Sequence, residues 1–86
     1  MKWNVEFTKS ASKQVQALDN QVQIRIRNAI RDKLGINPEK HLVALTGNLR
    51  GFYKFRVGTY RLICHMEGSR LVVTVIKIAH RKEVYH

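Results

Sequence analysis

The residues best suited to chemistry fall in two places. The first is Tyr53-Lys54-Phe55-Arg56-Val57-Gly58-Thr59-Tyr60-Arg61, and the second is His80-Arg81-Lys82-Glu83-Val84-Tyr85-His86. Lys54, Arg56 and Arg61 alternate with apolar residues, so on a strand pair they share one face. Gly58-Thr59 is a Gly-first two-residue loop of the type II′ kind, which sets the register. Val57 then pairs with Tyr60, Arg56 with Arg61, Phe55 with Leu62 and Lys54 with Ile63. Like charges directly opposite one another weaken a sheet. Folding alone gives no reason to place Arg56 across from Arg61, whereas an anion does. Solvated Lys and Arg are ordinary on an exposed sheet, so the informative feature is their convergence on one hairpin. Cations beside a tyrosine suit the holding of a phosphodiester and proton transfer on it without a metal.

Other chemistries find little support. His41, His65, His80 and His86 show no metal-ligand spacing, and the six Asp and Glu are scattered. No metal site or cofactor is expected. Cys64 falls on the apolar face of the hairpin and reads as a core residue. There is no glycine-rich phosphate loop and no Ser/His/Asp arrangement.

Charge narrows the partners. Sixteen Lys and Arg against six Asp and Glu leave a net +10 over 86 residues. A surplus of that size points to nucleic acid, with an acidic protein as the other common partner. The length is that of one small domain, residues 1–86, in which nearly every apolar residue is needed for the core. Hydrophobic residues make up 44% of the chain, too many for a disordered tail. The single cysteine excludes an internal disulfide framework. Apolar runs are too short to span a bilayer, and the first residues do not open a signal peptide. A cytoplasmic protein without a membrane partner is the expectation.

The elements that must position these residues are legible in outline. Trp3, Val5 and Phe7 alternate with polar residues, as in a half-buried strand. Thr8 is a candidate N-cap for a helix over residues 9–18, with Ala11, Val15 and Leu18 inward. Asn20 and Gln23 resemble a capping box for a second helix. Its apolar face would be Val22, Ile26, Ala29, Ile30 and Leu34, with Arg25, Arg27, Arg31 and Lys33 mostly on the other side. Gly35 fits the C-terminal cap, and Asn37-Pro38 ends the helix. Residues 36–51 read as a connection with a short apolar piece around Leu42–Leu45. Strands are predicted over 52–57, 60–66 and 70–79. The last is apolar enough to be buried on both faces, and it would add Val72, Thr74, Ile76 and Ile78 to the cationic face. The fold class is α+β in the order β-α-α-β-β-β, two N-terminal helices packed on a four-stranded, mainly antiparallel sheet.

In this order and spacing the chain resembles the RelE-type toxins of bacterial toxin–antitoxin pairs, within the RelE/ParE superfamily. The resemblance covers essentially the whole chain. It rests on Tyr53-Lys54-Phe55-Arg56, Tyr60-Arg61-Leu62, the apolar last strand and His80-Arg81-Lys82-Glu83-Val84-Tyr85. Leu45-Thr46-Gly47 and Leu49-Arg50-Gly51 match as well. It implies a ribosome-dependent endoribonuclease that cuts mRNA in the A site by attack of the 2′-hydroxyl on the adjacent phosphate.

By the same resemblance Tyr85 is the general base and Arg81 protonates or stabilises the leaving oxygen. Lys54, Arg56 and Arg61 grip the scissile phosphate, while Arg50, His80 and Lys82 contact RNA or ribosome. Arg56 stands where well-known members carry lysine, which keeps the charge and changes the donor geometry. Some relatives continue into a terminal helix, whereas here His86 follows Tyr85. The implied partners are a cognate antitoxin, the ribosome and mRNA, and operator DNA for the toxin–antitoxin complex. Two alternatives stand beside this: a ParE-like toxin that binds gyrase and cuts nothing, and a basic nucleic-acid-binding module without catalysis.

Overall fold

The computed structural model describes residues 2–80. The chain opens with β1 (Asn4–Phe7), whose alternating exposure follows its alternating sequence. Thr8 then serves two elements. Its Oγ1 accepts from the Ala11 N–H at 3.1 Å, capping α1 (Lys9–Gln16), and donates to the Ile76 carbonyl at 3.2 Å. The helix is thereby tied to the last strand at the point where it starts.

Helix α2 (Asn20–Ala29) runs on into a π-helical turn, Ile30–Leu34, closed by the Gly35 N–H donating to the Ile30 carbonyl at 2.8 Å. Ile30 and Leu34, at the two ends of this turn, are both buried in the core. Two local expectations are revised here. Asp19, rather than Asn20, is the N-cap, and Gln23 reaches back to the Leu18 carbonyl at 2.9 Å instead of completing a capping box. Gly35 caps the helix in the right-handed conformation, and its carbonyl accepts from the Trp3 N–H at 2.7 Å. A short helix α3 (Pro38–His41) follows, with the Asn37 side chain accepting from the Lys40 N–H at 3.3 Å.

Among the described residues the sheet has five strands, not the expected four. Val43–Ala44 forms β2, an antiparallel edge on β3 (Tyr53–Val57). Two residues are too few to show a period of two, so this strand was invisible in the sequence. β4 (Tyr60–Glu67) and β5 (Val72–His80) complete the order β1-β5-β4-β3-β2. Every pairing is antiparallel except β1 with β5, where Val5 meets Val73 and Phe7 meets Val75. Among the turns, Gly58 has φ +59° while Thr59 does not enter the positive region, as a type II′ hairpin requires.

The helices cover one face of this sheet. The core between them includes Trp3, Ala11, Ile26, Leu34, Phe55, Leu62, Cys64 and Val75. The other face carries the basic residues of the hairpin, so the same strands build the core and display the charge.

Candidate functional site

The hairpin has the register its sequence dictates. Arg56 pairs with Arg61, Phe55 with Leu62, Lys54 with Ile63 and Tyr53 with Cys64. Phe55 and Leu62 are buried under the helices. Alternation therefore turns Lys54, Arg56, Arg61 and Ile63 to the opposite face. Arg56, Gly58, Thr59 and Arg61 line a cleft of about 120 Å³ at the hairpin tip. From the helix side, Arg25 Nη1 lies 3.5 Å from where a Cβ on Gly58 would stand. Three guanidinium-bearing residues thus surround one turn. The ion pairs Arg31–Asp32, at 2.8 Å, and Arg70–Glu67, at 3.4 Å, draw on residues outside this cluster.

β5 departs from simple alternation. Ile63 pairs with Lys77 and Cys64 pairs with Val75, so Ile76 is an extra residue in a β-bulge. The bulge reverses the facing of everything after it. Ile78 joins the helix-side core rather than the cationic face predicted for it. Lys77, exposed, takes a place on the cationic face beside Ile63. Lys54 and Lys77 therefore flank Ile63 from the two neighbouring strands. Nothing in the period of the sequence marks this lysine, because the signal that places it is the bulge.

His80 is moved by the same shift. It pairs with Tyr60, on the face opposite the arginine cleft. Its ring meets that of Tyr60 edge-on with centroids 4.9 Å apart, and its Nε2 lies 3.3 Å from Thr59 Oγ1. Together with Gln14, Ala17, Leu18 and Ile78 these two rings line a separate hollow of about 330 Å³. Arg50 is exposed just after a 3-10 turn (Gly47–Leu49), before β3 begins and outside the lining of the arginine cleft. Arg81, Lys82 and Tyr85 lie outside the described residues.

Cys64 is fully buried, and its thiol lies 3.6 Å from the Leu62 carbonyl. Burial pushes its pKa up to about 12, so it stays a neutral thiol at physiological pH. Among the described residues no three His, Cys, Asp or Glu side chains gather as metal ligands would. No helix among them is long and apolar enough to cross a membrane.

Comparison with known proteins places this architecture. Residues 5–85 match the family model described as "ParE toxin of type II toxin-antitoxin system, parDE". The curated Toxin RelG of Mycobacterium tuberculosis is 25% identical over 85 residues, covering 99% of this chain and 98% of the relative. Among solved structures, the toxin–antitoxin complex RelBE2 from the same bacterium superposes with a TM-score of 0.87 at 23% identity. That alignment spans 94% of this chain and 100% of the other. The archaeal RelE–RelB complex from Pyrococcus horikoshii gives a TM-score of 0.75 at 28% identity, covering 98% and 100%. The isolated Escherichia coli RelE toxin gives 0.73 at 21% identity, covering 95% and 87%.

Proposed function

We propose that this chain, which belongs to the ParE toxin family of type II toxin–antitoxin systems within the RelE/ParE superfamily, is a ribosome-dependent endoribonuclease that cuts mRNA in the A site. The observation that supports this reading best is the cleft between Arg56 and Arg61. Two guanidinium groups held opposite each other on a hairpin suit a single phosphodiester, whose oxygens accept their hydrogen bonds. With Lys54 alongside, they would also stabilise the extra negative charge of the pentacovalent phosphate, which is where fixed cations contribute most to rate.

The proposed step needs no reactant besides solvent water. The 2′-oxygen bonds to the adjacent phosphorus as the bond from phosphorus to the 5′-oxygen breaks. Tyr85 takes the proton of the 2′-hydroxyl, the departing 5′-oxygen takes a proton from solvent water, and the products are a 2′,3′-cyclic phosphate and a 5′-hydroxyl end. A tyrosine base must work as phenolate, which forms near pH ~10 in water and at lower pH beside cations. Arg81 acts on the departing 5′-oxygen chiefly through its charge, since a guanidinium gives up its proton very reluctantly. A site with so few acid–base groups gains from a substrate held in place by the ribosome.

The same reading includes a cognate antitoxin, with operator DNA bound by the toxin–antitoxin complex. The groove between α1 and α2, about 250 Å³ and lined partly by Phe7, Val15 and Ile26, suits the apolar side of an amphipathic antitoxin segment. The chain's positive charge suits an acidic one. A second reading has the ParE description of the matching family model in its favour: a toxin that binds gyrase and cuts nothing. Purified protein on programmed ribosomes separates the two. Cleavage at the A-site codon is expected, with Tyr85→Phe and Arg81→Ala losing turnover far more than ribosome binding. Intact mRNA together with inhibited gyrase supercoiling would replace the first reading with the second.

A further inference from the structure

Beside the arginine cleft, the cationic face carries an apolar hollow of about 140 Å³, lined by Leu49, Phe52, Ile63, Ile76 and Lys77. Successive rungs of the hairpin lead into it. Arg56 and Arg61 form the first rung, and Lys54, Ile63 and Lys77 form the second. Beyond them Phe52 meets the His65 ring edge-on, with centroids 6.4 Å apart. Ile63 is only 4% exposed and makes the floor. Neighbouring strands stand about 4.8 Å apart. Lys54 and Lys77, two strands apart, therefore flank this floor residue with about 10 Å between their strands.

An occupant of this place must have an apolar face for Phe52, Ile63 and Ile76 and negative charge for the two lysines. A nucleobase on its sugar–phosphate chain has both. Single-stranded nucleic acid is commonly held this way, with bases on aromatic or apolar side chains and phosphates on Lys and Arg. The spacing fits as well. Ile63 is two residues beyond Arg61 on the same face, about 6.8 Å away, which is the scale of one nucleotide step.

We infer that this hollow is a base subsite for the nucleotide next to the scissile phosphate, and that Lys77 holds the neighbouring phosphate. This rests on the arginine cleft being the site of the scissile phosphate. Lys77 reaches this face only through the bulge at Ile76.

The test uses the full chain and a 2′-O-methylated trinucleotide RNA, which cannot be cut, followed by NMR. Binding should shift the Ile63 and Ile76 methyl signals. Removing the base of the central nucleotide, which lies between the two phosphates, should weaken wild-type binding by about 10-fold. It should weaken Phe52→Leu much less, because the stacking partner is already gone. Lys77→Gln should reduce the slope of log affinity against log salt by about 0.7, the value of one single-strand phosphate contact. Lys77 is exposed, so this variant carries the test even where Phe52→Leu folds poorly.

No methyl shift at millimolar trinucleotide overturns the subsite. So does equal sensitivity of wild type and Phe52→Leu to base loss, or an unchanged salt slope in Lys77→Gln. Loss of antitoxin binding in Phe52→Leu with RNA binding intact overturns it as well and assigns the hollow to the protein partner. Arg56→Gln separates the layers of the argument. If it weakens RNA binding while Lys77→Gln and Phe52→Leu do not, only the subsite fails. If it leaves RNA binding unchanged, the reading of the cleft fails with it.

Discussion

Neutralising Arg56 should make the protein more stable and less active. Arg56 stands directly across from Arg61 on the exposed face of the hairpin. Facing side chains on paired strands start about 5 Å apart at their β-carbons. Two unit charges at about 5 Å in water repel by roughly 0.8 kcal/mol before screening. With a Debye length of about 30 Å, at about 0.01 M salt, roughly 0.7 kcal/mol of this remains. At about 1 M salt, where the length is about 3 Å, roughly 0.2 kcal/mol remains. Arg56→Gln keeps much of the aliphatic stem and removes the charge. For a domain of this size the melting temperature should rise by about 3–6 °C at low salt and by about 1 °C at high salt. Thermal unfolding followed by circular dichroism at both salt concentrations measures the difference, and A-site cleavage by the same variant should fall. A variant no more stable than wild type at low salt, or a gain that ignores salt, would refute the claim that the pair is kept against the interest of the fold.

Three further outcomes follow from the core and the turns. Native Cys64 should resist thiol reagents at pH 8 and react once denaturant exposes it, because its pKa is pushed up to about 12 by burial. The folded thiol keeps its proton where an unfolded one loses it, so its contribution to stability is full below about pH 9 and fades as pH rises toward 12. Unfolding midpoints of wild type and Cys64→Ala across that range isolate the effect from the titration of Lys and Tyr. Gly58→Ala should cost about 1–2 kcal/mol in urea unfolding, since φ at this turn is +59° and an L side chain is strained there. Gln14→Ala should cost about 1–3 kcal/mol, because the Ile78 N–H donates to Gln14 Oε1 at 2.8 Å and would lose its acceptor.

The parts of the fold that sequence made legible are those where local chemistry and tertiary role coincide. Thr8 caps a helix both by type and in fact. The Gly58-Thr59 loop set the register of the hairpin, so the facing of Arg56 and Arg61 could be derived before any coordinates. What escaped depends on the backbone making an exception. β2 is held by pairing with β3 and is too short to have a pattern of its own. The π-helical turn at Ile30–Leu34 looks like ordinary helix in composition. The bulge at Ile76 had the largest effect, since a run of Val and Ile gives no sign of which residue is skipped. That single skip sent Ile78 and His80 to the helix side and brought Lys77 round to the cations. Lys54, Arg56 and Arg61 share one face as derived, whereas His80 does not join them.

The pairing of β1 with β5 bears on how the protein comes into being. Among the described residues β1 has no ladder partner except β5, Asn4 lying beside Val72 and Phe7 beside Val75. A nascent chain therefore carries β1 unpaired until β5 has been made. The half-made sheet also lacks Val73, Val75 and Ile78 as one wall of its interior. In so small a domain the missing wall leaves too little buried surface for the rest to hold. The hairpin arginines are translated before β5, yet their scaffold closes only when β5 has emerged. Until β5 is in place, the arginines are present in the chain without the closed core beneath them.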